Sequence, residues 1–310
     1  MILTVTLNTA LDLTYTVPAL VPHSSHRVSE VTERPGGKGV NVARVLSALG
    51  HDTVVTGFAG GSTGTVLREL LGALPHHPTD ALVTVAGNTR RTLAVVDRSS
   101  GDTTQLNEPG PHIGAGEWAA FLGTFGELLP RAEAVALCGS LPPGVHVGAY
   151  AELVRLARSA GVPVLLDTGG EPLRRGIAAR PDLVKPNAEE LAQLTGAREP
   201  LRATRDARRR GAHSVVTSLG PDGLLAVTPD GIWRAAPPAA VRGNPTGAGD
   251  SAVAGLLSAL AEGLGWQDRL ARAVALSTAT VLAPAAGEFD REAYEDLLPR
   301  VTVEQHTPAA

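Results

Sequence analysis

Apolar positions along this chain recur with a period of two in some stretches and of three to four in others, and the two kinds of stretch take turns. Residues 2–7 read as a first strand. Val42, Val45, Leu46 and Leu49 then mark one side of a helix, with Gly50 as its stop. A strand over 53–58 and a helix through Val66, Leu67, Leu70 and Leu71 follow. From residue 113 onward the rhythm is regular again. A helix with Trp118, Phe121, Leu122 and Phe125 leads to a strand over 134–137, and a helix with Tyr150, Leu153, Val154 and Ala157 ends at Gly161 before a strand over 163–167. Further strands are predicted over 182–185 and 214–219, then a hairpin of 224–227 and 232–235 around Pro229-Asp230-Gly231. Such alternation predicts the α/β class, with a mostly parallel central sheet flanked by helices.

Two patches break the rhythm. Residues 8–35 contain the β-favouring runs 13–17 and 27–31. Residues 79–108 contain short β-like pieces at 82–85, 92–96 and 103–106, the last two linked by the turn-rich Arg98-Ser99-Ser100-Gly101-Asp102. We read segments 13–31 and 82–106 as one small β-sheet, a lid inserted into a single domain over 1–300. Residues 301–310 read as a loose C-terminal tail.

Composition narrows the class of function. A hydrophobic content of 43% suffices for a core, yet no apolar run reaches the roughly 18 residues of a membrane span. The first strand starts without a basic stretch ahead of it, so no signal peptide is expected. The single cysteine, Cys138, allows no internal disulfide and fits a reducing cytoplasm. A net charge of −4 points to neither nucleic acid nor an anionic membrane as partner. The run Arg202, Arg205, Arg208, Arg209 and Arg210 lacks interleaved aromatics and reads as a solvated helix face. The histidines show no metal-ligand spacing.

The stretch Asn244-Pro245-Thr246-Gly247-Ala248-Gly249-Asp250-Ser251 carries chemistry. Val253, Leu256, Leu257 and Leu260 behind it form the apolar stripe of a helix, so Gly247 and Gly249 lie at a helix N-terminus. There, free amides and the positive dipole end favour a phosphate. Asp250 at that spot either caps the helix or takes the proton of a hydroxyl that attacks the bound phosphorus. The eight residues alone leave both readings open. Strand ends followed by polar or glycine-rich turns recur at Leu7-Asn8, Cys138-Gly139-Ser140, Asp167-Thr168-Gly169-Gly170, Lys185-Pro186-Asn187 and Ser218-Leu219-Gly220. In an open parallel sheet these ends share one rim, where ligands bind. Pro35-Gly36-Gly37-Lys38-Gly39-Val40-Asn41 is not a Walker A loop, because Gly39 stands where Ser or Thr is needed, and the dinucleotide fingerprint is absent as well.

On these motifs the chain resembles the PfkB carbohydrate kinases of the ribokinase-like fold, from residue 1 to about 298. Residues 244–251 resemble the family's C-terminal signature and 36–43 its N-terminal one. The segments 6–12, 106–111, 139–144 and 185–187 resemble the branch of 1-phosphofructokinase, tagatose-6-phosphate kinase and the minor 6-phosphofructokinase. The resemblance implies ATP with Mg2+ and, often, a homodimer formed through the lid. It implies Asp250 as general base and the amides of Ala248, Gly249 and Asp250, after Gly247, as the hole for the transferred phosphoryl group. Asp12, Gly37 and Asn41 would hold sugar hydroxyls, Lys38 and Arg90 the phosphate already on the sugar, with Asn107 and Ser140 lining the same pocket. Lys185, Asn187 and Glu190 would face the ATP phosphates, Asn187 and Glu190 reaching the metal through water, while Ser218, Gly220 and Gly223 would form the nucleotide loop. An Arg fork with a Lys point charge suits a sugar phosphate dianion. Simpler readings stand beside these roles: Asn187 as a helix cap, Lys38 reaching solvent, Arg90 on the surface, Asp12 in a turn.

Departures from the branch are visible too. Arg91 and Thr92 stand where it commonly has a hydrophobic residue and Asn, and Asp167-Thr168-Gly169-Gly170 replaces Asp-x-Ser-Gly. Residues 244–246 lean toward tagatose-6-phosphate kinases, residues 106–111 toward 1-phosphofructokinases. The expectation is phosphorylation of a ketohexose monophosphate to a bisphosphate, fructose 1-phosphate first, tagatose 6-phosphate or fructose 6-phosphate as the alternatives. From other classes, a non-catalytic sugar-phosphate sensor is disfavoured by Asp250, and a nicotinamide-dependent dehydrogenase by the missing fingerprint.

Overall fold

The computed structural model describes residues 1–283 and 287–306. Strand β1 (Ile2–Thr6) turns at Asn8 into β2 (Ala10–Val17) and β3 (Glu30–Gly36), which runs straight into helix α1 (Lys38–Ala48). Then come β4 (Thr53–Gly60), α2 (Gly61–Gly72), β5 (Thr79–Val85), β6 (Arg90–Asp97), β7 (Thr103–Asn107) and α3 (Ala115–Leu128). The regular half follows as β8 (Ala134–Cys138), α4 (Ala149–Ser159), β9 (Val164–Asp167), α5 (Gly170–Ala178), β10 (Leu183–Val184), α6 (Ala188–Thr195), α7 (Pro200–Arg209) and β11 (Ser214–Ser218). It closes with the hairpin β12 (Leu224–Thr228) and β13 (Gly231–Ala236), then α8 (Ala248–Ala261), α9 (Trp266–Val281), α10 (Arg291–Leu297) and β14 (Thr302–His306).

The large sheet has the order β14-β13-β12-β11-β10-β9-β8-β1-β4-β5, parallel from β5 through β11 and antiparallel beyond. Strands β1, β8 and β9 are buried at every position, as strands covered on both faces must be. One face packs Phe121, Phe125, Tyr150, Leu153, Leu173 and Leu191 from α3 to α6. The other packs Val42, Val45, Leu46, Leu256, Leu257 and Leu276 from α1, α8 and α9. A separate sheet, β3-β2-β6-β7, stands over the rim of the large one. This is the ribokinase-like arrangement expected from the sequence.

Two expectations are corrected. Residues 82–85 do not belong to the lid: β5 extends the large sheet, parallel to β4, with Leu82 opposite Gly57. Its half-buried edge position gives the same alternation as a lid strand. The tail is not loose over 302–306, where β14 pairs with β13. Its side chains are exposed apart from half-buried Val303, so main-chain pairing holds it without an apolar signal in the sequence. Residues 307–310 lie outside the described part.

Candidate active site

The C-terminal ends of β1, β8, β9, β10 and β11 meet at one rim and, with the lid and the first turns of α1 and α8, enclose a cavity of about 1090 Å³. Asp12, Gly37, Lys38, Asn41, Arg90, Asn107, Ser140, Lys185, Asn187, Glu190, Ser218, Gly247, Gly249 and Asp250 all line it. Gly220, Gly223 and Ala248 line an adjoining cleft of about 620 Å³, which shares Asn187, Ser218 and Gly249 with the first and continues along Val241, Val274 and Val281.

Asp250 is the third residue of α8 and is buried. The turn before it needs Gly247, whose φ of 84° lies in the left-handed region. Ala248 donates its amide to the Pro245 carbonyl, so of the three amides expected to form an anion hole, those of Gly249 and Asp250 are the ones left without an acceptor among the described residues. Asn41 Nδ2 donates to Asp250 Oδ2 at 2.9 Å. Burial pushes the Asp250 carboxyl up to about 6, and the lysine charges of Lys38 and Lys185 restrain the shift while Asp167 adds to it. The Asp250 carboxylate is buried beside these amides, and the hydrogen bond its side chain makes among the described residues comes from Asn41.

Lys38, though its side chain is 41% exposed, is held at the cavity rim. Its Nζ lies 3.3 Å from Oδ2 of Asp167, and Lys185 Nζ lies 3.5 Å from Oδ1 of the same carboxylate. Asp167 beside it holds the Lys38 ammonium above the usual lysine range, against its partial burial. Asp167 ends β9 and is 1% exposed. Sequence reasoning gave this residue no role, although it occupies the same strand-end position as the rim residues it joins.

Under the lid, Asp12 accepts from Thr92 Oγ1, and burial raises its carboxyl against the pull of Thr92, Arg90 and Arg44. Gly36 is needed here, because a Cβ at that position would sit 2.0 Å from Asp12 Oδ2. Arg90 donates to the carbonyls of Asn8 and Glu108 at 3.3 Å each, which aims its guanidinium into the cavity. Arg91, next along β6, turns the other way and pairs with the Glu108 carboxylate at 2.7 Å on the surface. The two departures at 91 and 92 therefore have different weight: Arg91 is outside the cavity, and Thr92 is part of it. Asn8, also unassigned from sequence, donates to Ser140 Oγ and the Pro109 carbonyl at 3.1 Å each, tying β1 to the loops over the pocket.

Where the cavity meets the adjoining cleft, Asn187 caps α6. Its Oδ1 accepts from the Glu190 amide, and Glu190 Oε2 accepts from the Asn187 amide, both at 2.8 Å. The cap reading of Asn187 therefore describes its side chain, while both residues still face the cavity. Glu190 Oε1 accepts no hydrogen bond among the described residues. Those residues hold no group of three or more His, Cys, Asp or Glu able to hold a metal by themselves, and none of their helices is long and apolar enough to cross a membrane.

The chain is 40% identical over 291 residues to 1-phosphofructokinase of Rhodobacter capsulatus, covering 91% of this chain and 92% of that one. Among solved structures, a possible 1-phosphofructokinase from Thermotoga maritima superposes with a TM-score of 0.89 at 29% identity, covering 99% of this chain and 100% of that one. Phosphofructokinase-2 from Escherichia coli, solved in complex with substrates and products, gives a TM-score of 0.87 at 29% identity over 96% of this chain and 98% of that one. The model for pfkB family carbohydrate kinases matches residues 4–292, and the chain belongs to that family.

Proposed function

We propose that this kinase moves the γ-phosphoryl group of ATP to a ketohexose monophosphate, and that fructose 1-phosphate, attacked through its 6-hydroxyl, is the preferred acceptor. The observation that carries the reading is Asp250: a buried carboxyl pushed up to about 6, beside the free amides of Gly249 and its own, in a cavity whose other end holds Asp12 and Arg90. The sugar phosphate lies under the lid, its hydroxyls on Asp12 and the pocket walls and its phosphate near Arg90. Asp250 accepts the proton as the hydroxyl attacks in line, and the two amides receive the developing charge. Lys38 and Lys185, bridged by Asp167, bring two cations to the side where the phosphates meet. The apolar cleft beyond Gly249 has the size and lining for a nucleotide base, with Ser218, Gly220 and Gly223 at its mouth.

The donor set fits a magnesium ion carried in by the nucleotide rather than one caged by the protein: Glu190 offers its unpaired Oε1 on the phosphate side, and the described residues hold no cluster of three ligating side chains. When bound, Mg2+ neutralises the phosphates and orients them. The lid leaves Val31 and Leu106 more than half exposed, which supports a homodimer formed through it. The single buried Cys138 is consistent with a reducing cytoplasm as its location. The test is direct: incubation with MgATP and fructose 1-phosphate yields ADP and a hexose bisphosphate in equal amounts, detected by mass. Absence of a bisphosphate with every ketohexose monophosphate would refute the reading.

A further inference from the structure

One face of α1 carries Lys38, Asn41 and Arg44 one turn apart, and each meets a carboxylate from a distant element: Asp167, Asp250 and Glu288. The first two pairs belong to the cavity. The third lies behind it. Glu288 follows α9, on the loop into α10, and does not line the cavity. Its Oε1 accepts from Arg44 Nη2 at 3.0 Å and from Arg34 Nε at 3.0 Å. Arg34 stands on lid strand β3, directly opposite Asp12 in the β2–β3 ladder. Opposed residues of an antiparallel pair project to the same side of the sheet, and Asp12 is the lid carboxylate that Thr92 holds in the pocket. Arg44 has a side chain only 4% exposed, against 34% for Glu288, so the charge-assisted bond is buried at its arginine end.

We infer that Glu288 is a positioning residue for the acceptor sugar: one carboxylate oxygen fixes lid strand β3 to α1, and so sets Asp12 and the Asn41–Asp250 pair relative to each other. The inference rests on the reading of Asp12 as a ligand of the sugar. No motif marks Glu288, and it touches neither substrate nor reacting atoms. Its effect is therefore on how well the sugar end is assembled, not on the cleft beyond Gly249 that takes the nucleotide base, which α1 and β3 do not line.

The experiment is steady-state kinetics on the full chain with Glu288→Gln, Arg34→Met, the double variant and Asp12→Asn, each with its melting temperature. Glu288→Gln and Arg34→Met should each raise KM for the sugar phosphate about tenfold and leave KM for ATP within twofold. The double variant should be no worse than either single one, because both remove the same link. Unchanged KM for the sugar, or a sugar and ATP KM that rise together with a fall in melting temperature, would overturn the inference, as would a multiplicative, about hundredfold, effect in the double variant. Asp12→Asn separates the two levels. If it raises KM for the sugar while Glu288→Gln does not, the link fails and the pocket stands; if Asp12→Asn leaves KM unchanged, the pocket reading fails and the link with it.

Discussion

Asn41 holds Asp250: its Nδ2 donates to the carboxylate Oδ2 at 2.9 Å, from a helix whose first turn also carries Lys38. The glycine loop before α1 and the glycine signature before α8 are 209 residues apart at these two positions, yet they deliver one unit. Asn41 was expected to hold a sugar hydroxyl; in the structure one Nδ2 hydrogen goes to Asp250, and its Oδ1 accepts no hydrogen bond among the described residues. With Asp250 Oδ2 so fixed, Asp250 Oδ1 is the oxygen left to take a proton.

Asp250→Asn should lower kcat about 10²–10⁴-fold while KM values change little, since the amide keeps the shape and loses the base. Single-turnover measurement of ADP release checks it. Near-normal turnover would make Asp250 a structural residue.

The same residue makes the enzyme pH-sensitive. With a carboxyl near 6, kcat/KM should rise about tenfold per pH unit up to about 6 and level off above. Lys38 restrains the shift, so Lys38→Met should move that limb to higher pH, besides weakening binding of sugar phosphate more than of free fructose. A limb that stays in place would mean that Lys38 is remote from the base.

Stability should move in the opposite sense to activity. The unfolded carboxyl titrates near 3.8 and the folded one near 6. Both are protonated below the lower value. As pH rises from 3.8 to 6 the native state binds the extra proton, so stability is lost across that window and is level above it. Removing the charge with Asp250→Asn should therefore stabilise the fold at pH 7.5 by about 1–3 kcal/mol and hardly at all at pH 4. Thermal melts of both proteins at the two pH values read this out.

The two glycines of the signature should separate fold from chemistry. Gly247 has φ 84°, so Gly247→Ala forces a side chain into a left-handed turn and should destabilise by about 1 kcal/mol. At Gly249 a Cβ meets nothing closer than Lys185 Nζ at 3.6 Å. Gly249→Ala should melt like the parent and still lose activity, because the methyl group occupies the approach to the free amides. Equal melting losses for the two variants would contradict this.

The alternation of periods made the large sheet legible, and the recurrence of polar turns after strands located its rim. The signatures at 36–43 and 244–251 were legible because backbone demands, a free amide or a positive φ, admit few residues. What stayed hidden lacked such demands. The edge strand β5 alternates like a lid strand, and β14 is held through its main chain. Asp167 and Glu288 are single carboxylates whose partners on α1, Lys38 and Arg44, stand 129 and 244 residues away, a distance no local pattern spans. Arg90 and Arg91 look alike in sequence and differ only because successive residues of a strand face opposite ways.

The most direct test compares kcat/KM for fructose 1-phosphate, fructose 6-phosphate, tagatose 6-phosphate and free fructose under saturating MgATP. The account predicts that fructose 1-phosphate exceeds the other phosphates clearly and free fructose by the largest factor. Turnover confined to the unphosphorylated sugar would contradict it, because Arg90 would then have no acceptor phosphate to serve.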